Sequence, residues 1–255
     1  VIDINREHPE YTNWKTVWPR YRDLYVGGEQ FIRRANLYLL PRQRELAEVY
    51  QERLSRAFYE NYIGSIIDWY AATLFRREPI LTFEGNDEGA RRYFNEFAED
   101  CDRRGSTLSD FFRRQVIEAL VAGRSYVAID FPRGQKAPES RAEEEALGLA
   151  RGYLCEYPAE SVINWQRDER GEFEWVVLRG ERLVMEEPGQ TLKTVRQWIR
   201  YDRRGYQLYR QEARGERATA PEMVGEGLHG LARLNRVPVF EFGMGDGMWL
   251  LNKAA

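Results

Sequence analysis

The chain has 255 residues and a mass of 30.1 kDa, enough for one large domain or two modest ones and for a core that needs no disulfides. Hydrophobic residues make up 43%, charged residues 31% and aromatic residues 13%, a globular balance that argues against disorder. The formal charge of −3 excludes a globally basic nucleic-acid binder.

Only Lys15, Lys136, Lys193 and Lys253 are lysines, so nearly all of the 38 cations are arginines. The two cysteines, Cys101 and Cys155, lie in no CxxC pair. They exclude a disulfide framework and a cysteine-rich metal site, and they fit a reducing compartment. No apolar run reaches the ~18 residues that a membrane helix needs. Val1-Ile2-Asp3-Ile4 has no signal-peptide character.

Trp14, Val17, Trp18 and Tyr21 recur at helical spacing, with Leu24 and Tyr25 continuing the face. Pro19 should kink this run or open a new first turn, and Gly27-Gly28 should end it. Residues 29–41 read as a connector. From Pro41 to Arg77 the pattern is helical again, broken near Tyr59–Asn61. Leu46, Val49, Tyr50, Leu54, Ala57 and Phe58 share one face, and Ile63, Ile66, Ile67, Tyr70, Leu74 and Phe75 continue it. Pro79 ends the run. Ile80-Leu81-Thr82-Phe83 reads as a short strand, and residues 87–104 as a helix stopped by Gly105. Ser106 or Thr107 can cap a further helix to Ala122, which Gly123 stops. Ser125–Asp130 is an apolar run of buried-strand type.

Residues 133–150 are a polar insertion in which Glu139–Ala150 is expected as a short exposed helix. Strands are expected at Tyr153–Tyr157, Ser161–Gln166, Glu174–Arg179, Arg182–Glu186, Thr194–Tyr201, Tyr206–Gln211 and Val237–Phe242. Turns are expected at Arg170-Gly171, Arg179-Gly180 and Arg204-Gly205. The fold class is therefore α+β: a helical N-terminal half, residues 1–124, followed by a mainly antiparallel β-rich half, residues 125–255.

Gly225-Glu226-Gly227-Leu228-His229-Gly230 matches G-x-G-x-x-G. A dinucleotide site needs a strand before the glycines and a helix after them. Ala220-Pro221 and Pro238 leave room for neither, so a mobile glycine loop is the expectation. His8 and His229 are the only histidines and are read as surface residues, which speaks against a His-based triad or a multi-His metal site. Asp130 ends an apolar strand before Phe131-Pro132, where a carboxylate more often caps a loop than does chemistry. Arg76-Arg77, Arg91-Arg92, Arg103-Arg104 and Arg113-Arg114 have acidic neighbours and are read as salt-bridged surface, with subunit contact as the minority role. Trp14, Trp18, Trp69 and Tyr70 are expected in the core.

A set of segments carries a resemblance. They are Arg22-Asp23-Leu24-Tyr25-Val26-Gly27-Gly28, Tyr38-Leu39-Leu40-Pro41, the run from Tyr50 to Asn61, and Thr73-Leu74-Phe75-Arg76-Arg77-Glu78-Pro79. The run from Ala119 to Pro132, then Tyr157-Pro158-Ala159-Glu160-Ser161-Val162-Ile163-Asn164-Trp165 and Asn235-Arg236-Val237-Pro238-Val239, follow. In this order they resemble the portal (head-to-tail connector) proteins of tailed bacteriophages and prophages.

The resemblance spans nearly the whole chain and implies a virion structural protein, the wing-region portion of a non-enzymatic ring subunit. Implied partners are further copies of itself (a dodecamer in the full-length protein), a terminase, head–tail adaptor and capsid or scaffold proteins, and double-stranded DNA passing through the channel without sequence specificity. The implied place is the capsid portal vertex, with synthesis in the bacterial host cytoplasm and no membrane. The family's stem, clip and crown would follow beyond the last residues of this sequence. No catalytic, cofactor-binding or metal-binding residue is assigned, and no cofactor is expected. The rival reading is an α+β enzyme or nucleotide-binding protein that uses Asp130 or the Gly225–Gly230 loop.

Overall fold

Pro9 and Pro19 each sit in the first turn of a helix, where a missing N–H costs nothing. They open α1 (Pro9–Trp14) and α2 (Trp18–Val26), so Pro19 starts a new helix. His8 caps α1, its Nδ1 accepting from the Glu10 amide at 3.2 Å. The computed structural model describes residues 3–80, 87–132, 139–140, 143, 149, 151–185, 192–214, 217–245 and 249–254.

The expected connector after Gly28 is instead a short helix, α3 (Gly28–Arg33), and a 3-10 turn, Ala35–Leu37. The helical run divides as expected near Asn61, into α4 (Ala47–Ser55) and α5 (Tyr62–Leu74). Ile80 is exposed outside any strand, and the rest of the strand expected there lies outside the described residues. α6 (Glu88–Glu99) is capped by Asp87, and α7 (Leu108–Ala122) by Thr107, whose hydroxyl accepts from the Asp110 amide at 3.1 Å.

α7 joins three cores. Leu108 and Phe111 meet Cys101 and Leu154; Val116, Leu120 and Val121 meet Tyr21, Ile67, Trp249 and Leu251; Ala122 meets the β-sheet core. The last carbonyls of a helix have no intrahelical donor. Here two buried indoles supply donors: Trp18 Nε1 to Ala122 O and Trp249 Nε1 to Val121 O, both at 3.0 Å. Gly123 then turns the chain at φ +83°, with the Trp249 ring where a Cβ would stand.

The chain continues directly into β1 (Arg124–Asp130), the centre of a three-stranded antiparallel sheet with β2 (Tyr153–Pro158) and β9 (Val239–Gly243). The second sheet runs β3 (Val162–Arg167), β4 (Phe173–Val184), β5 (Lys193–Asp202), β6 (Gly205–Arg214). β6 also pairs with β7 (Arg217–Ala218) and β8 (Glu222–Leu228). Every pairing is antiparallel. Trp18, Tyr126, Ile163, Val176, Trp198 and Val239 form the core between the sheets and the first helices. α8 (Leu250–Ala254) closes the described chain against α7 and α5. The protein is thus α+β, its N-terminal part helical and its C-terminal half antiparallel sheet.

Two turn assignments need correction. Arg179-Gly180 does not turn: β4 runs straight through it, with Gly180 opposite Gln197 of β5. Val176-Val177-Leu178 on one side and Leu183-Val184 on the other favour strand, and a partner that pairs along the full length overrides one glycine. The Gly225–Gly230 loop is not a loop at its start either. Gly225 and Gly227 lie in β8, paired with Leu208 and Tyr206 of β6, a glycine-weakened strand that the sequence pattern did not show. The expected helix over Glu139–Ala150 falls almost wholly outside the described residues.

Candidate subunit interface

α2 ends at Gly27, held at φ +60° against the Asn61 side chain. Asn61 performs two tasks. Its Oδ1 accepts from the Gly64 amide at 2.8 Å and caps α5, while its Nδ2 donates to Tyr25 O at 2.7 Å and ties α5 to α2. Gly64 fits because a Cβ there would stand 2.6 Å from Tyr25 O.

The same turn of α2 receives both ends of residues 39–58. Tyr38 donates to the buried Asp23 carboxylate at 2.5 Å, which Arg34 also meets at 2.9 Å. Burial, then this hydrogen bond, pushes the Tyr38 phenol up to about 12. Tyr59 donates to Leu24 O at 2.9 Å. Phe31 is stacked between these two tyrosines, 4.8 Å from Tyr38 and 4.2 Å from Tyr59. Between the two anchors no residue is buried. Residues 39–58 therefore form an arm with a clamped base. Its internal brace is Glu45, which accepts from Arg53 Nε at 2.9 Å and Nη2 at 2.7 Å, and from the Arg42 amide at 2.8 Å. Hydrogen bonds from Arg53 and the Arg42 amide hold the Glu45 carboxyl at about 2.

The arm carries apolar side chains in solvent: Leu46, just before α4, is 71% exposed, Val49 on it 49% and Phe58, just beyond it, 82%, while Tyr50 and Leu54 are half-buried. α5 is apolar on two sides. Gly64, Ile67 and Ala71 are buried, with Ile67 in the core beneath α7. About 150° around the helix axis from that line, Tyr62, Ile66, Trp69 and Tyr70 form a second apolar stripe that no described residue buries, with exposures from 45% at Tyr70 to 68% at Tyr62. Trp69 and Tyr70 touch only edge to face, at 5.2 Å. They were expected in the core and are not there; Trp18 is, and Trp14 packs half-buried against it. The signal available in the sequence was the scarcity of polar residues in α5, where Ser65, Asp68 and Thr73 leave more apolar surface than one buried face needs.

The other sequence candidates have structural duties. Asp130 caps its strand end, Oδ1 accepting from the Phe131 amide at 2.8 Å and Oδ2 from the Tyr153 hydroxyl at 3.2 Å. Phe131, the residue after Asp130, lies against Gly230, just past β8, closer than any Cβ there would allow. His229 is buried rather than superficial, its Nε2 2.8 Å from Asp202 O. His8 is half-buried and stacked on Trp165 at 4.0 Å. Among the described residues no group of three or more His, Cys, Asp or Glu side chains is placed to hold a metal, and no helix is long and apolar enough to cross a membrane.

Of the paired arginines, Arg92, Arg113 and Arg114 have carboxylate partners, Arg114 bridging Asp102 and Glu156 at 3.3 Å each. Arg76 and Arg77, at the end of α5, are exposed and meet no carboxylate among the described residues, a departure from the expected salt-bridged surface. Arg22 on α2 is an ion-pair centre between Glu160 at 2.9 Å and Glu118. Burial works against its charge, but the two carboxylates outweigh burial and raise its pKa.

No protein-family model matches this chain, and no curated protein matches it.

Proposed function

We propose that the chain is a wing-region portion of a tailed-phage or prophage portal subunit. It acts through contacts between copies in a ring rather than through chemistry on a substrate. The observation that carries this is the second apolar stripe of α5, Tyr62, Ile66, Trp69 and Tyr70, standing beside an arm that buries none of its own residues. A contiguous exposed apolar surface of this kind marks a protein–protein contact. The ordered segments quoted above supply the identity of the assembly. Terminase, head–tail adaptor, capsid or scaffold proteins and passing DNA are the further partners of that reading, and the capsid portal vertex is its place.

The test is the mass of the 255-residue chain in solution, by light scattering and native mass spectrometry over a concentration series. Assembly beyond a monomer that Trp69→Glu abolishes is the expected result. A chain that stays monomeric at its solubility limit overturns the proposal.

A further inference from the structure

Two apolar surfaces of this chain are open at once: the α4 arm, through Leu46, Val49 and Phe58, and the outer stripe of α5 with Leu74 beside it. They do not cover each other, because the arm leaves the body at Tyr38, returns at Tyr59, and is held at that base by the Phe31 stack. We infer that the α4 arm of one copy lies on the outer face of α5 of the next copy, a head-to-tail contact repeated around the assembly. The inference rests on the ring reading and names the surfaces that build the ring.

Three features favour a second copy as the occupant, paired in this manner. An isologous contact of α5 on α5 would cover one stripe and leave the arm open. Arm on α5 covers both with a single repeated contact, and a heterologous contact is the kind that generates rings. The charges match as well. Glu48 is exposed beside Val49 and Arg76 and Arg77 are exposed beyond Leu74, and none of the three has an ion-pair partner among the described residues. The area suits the apolar centre of such a contact. Eight large apolar side chains near or above half exposure, three on the arm and five on α5, together supply on the order of 800 Å² over its two sides, about half of a standard interface. Burial of the α4 arm would also give Leu46 and Phe58 the cover they lack.

The test mixes two differently tagged copies of the 255-residue chain, one carrying Val49→Cys and the other Ile66→Cys, under mild oxidation. Both positions are about half exposed, so neither substitution disturbs the core. Cys101 is buried and Cys155 half-buried, and burial pushes both thiols up to about 11, which keeps them protonated and silent near neutral pH. A disulfide between the two different chains, at least several-fold above either self-crosslink, is expected. Glu48→Arg should weaken assembly about tenfold, and adding Arg76→Glu with Arg77→Glu should restore it. If light scattering shows assembly but Ile66→Cys crosslinks to itself, or no pair crosslinks, the arm pairing is overturned and the ring reading stands. If no assembly forms at all, both are overturned.

Discussion

At the residue scale, the decisive positions are those where one side chain closes two accounts. Asn61 caps α5 and binds α2 in the same stroke, and Gly64 is the only residue type that lets the two helices approach so closely. Gly64→Ala should therefore cost about 2–3 kcal/mol, read as a shift of the urea midpoint with unchanged slope, because backbone rather than a flexible side chain stands in the way. Trp249→Phe leaves Val121 O without its donor in a buried setting and should cost about 1–3 kcal/mol. Gly123→Ala combines a left-handed backbone with a clash against that same indole, and should lower stability more than Trp249→Phe does. An equal or smaller loss would mean the ring moves aside freely.

At the element scale, α5 offers a direct contrast between its two faces. Ile67 is fully buried under α7, so Ile67→Ala should cost about 2–4 kcal/mol. Ile66 and Trp69, one position and two positions away, are 47% and 62% exposed. Ile66→Glu or Trp69→Glu should leave the dilute monomer's unfolding curve unchanged within about 0.5 kcal/mol while removing assembly. Loss of both stability and assembly would return these side chains to the core. The arm has its own signature in pH. Glu45 titrates lower in the folded arm than in an unfolded chain, so its pairing with Arg53 helps at any pH above the ordinary glutamate value, ~4.3. That contribution fades as pH falls towards about 2. Amide exchange in α4, corrected for intrinsic rates, should therefore accelerate through this window, and Glu45→Gln should remove the dependence.

At the scale of the whole molecule, helix and sheet residues share a core. α7 contributes to all three apolar clusters, and Tyr11 and Trp18 from the first helices are buried with the strand residues Ile163 and Val176. Unfolding should be a single transition by tryptophan fluorescence, circular dichroism and thiol exposure. At pH 8 Cys101 and Cys155 should react with a disulfide reagent only as fast as the chain unfolds, since burial suppresses the thiolate of each. Thiol reaction ahead of the other two probes would place the cluster of Cys101, Leu108, Phe111 and Leu154 in a separate, weaker unit.

The sequence by itself determined the local elements whose signals are local. A cap at Ser106 or Thr107 at the head of α7, Gly123 at its end and the apolar run behind it were legible because capping, a left-handed stop and strand propensity act within a few residues. Pro19 opening α2 and the break before Asn61 belong to the same class. What only the tertiary structure decided depends on partners far along the chain. Gly180 extends a strand because Gln197 stands opposite. Gly225 and Gly227 join a sheet because β6 offers an edge. Trp69 and Tyr70 face solvent because α5 meets α7 and α2 through Gly64, Ile67 and Ala71. Apolar periodicity marks which residues seek cover; only the packing of the other elements decides which of them find it within one chain, and on α5 one stripe is left for another.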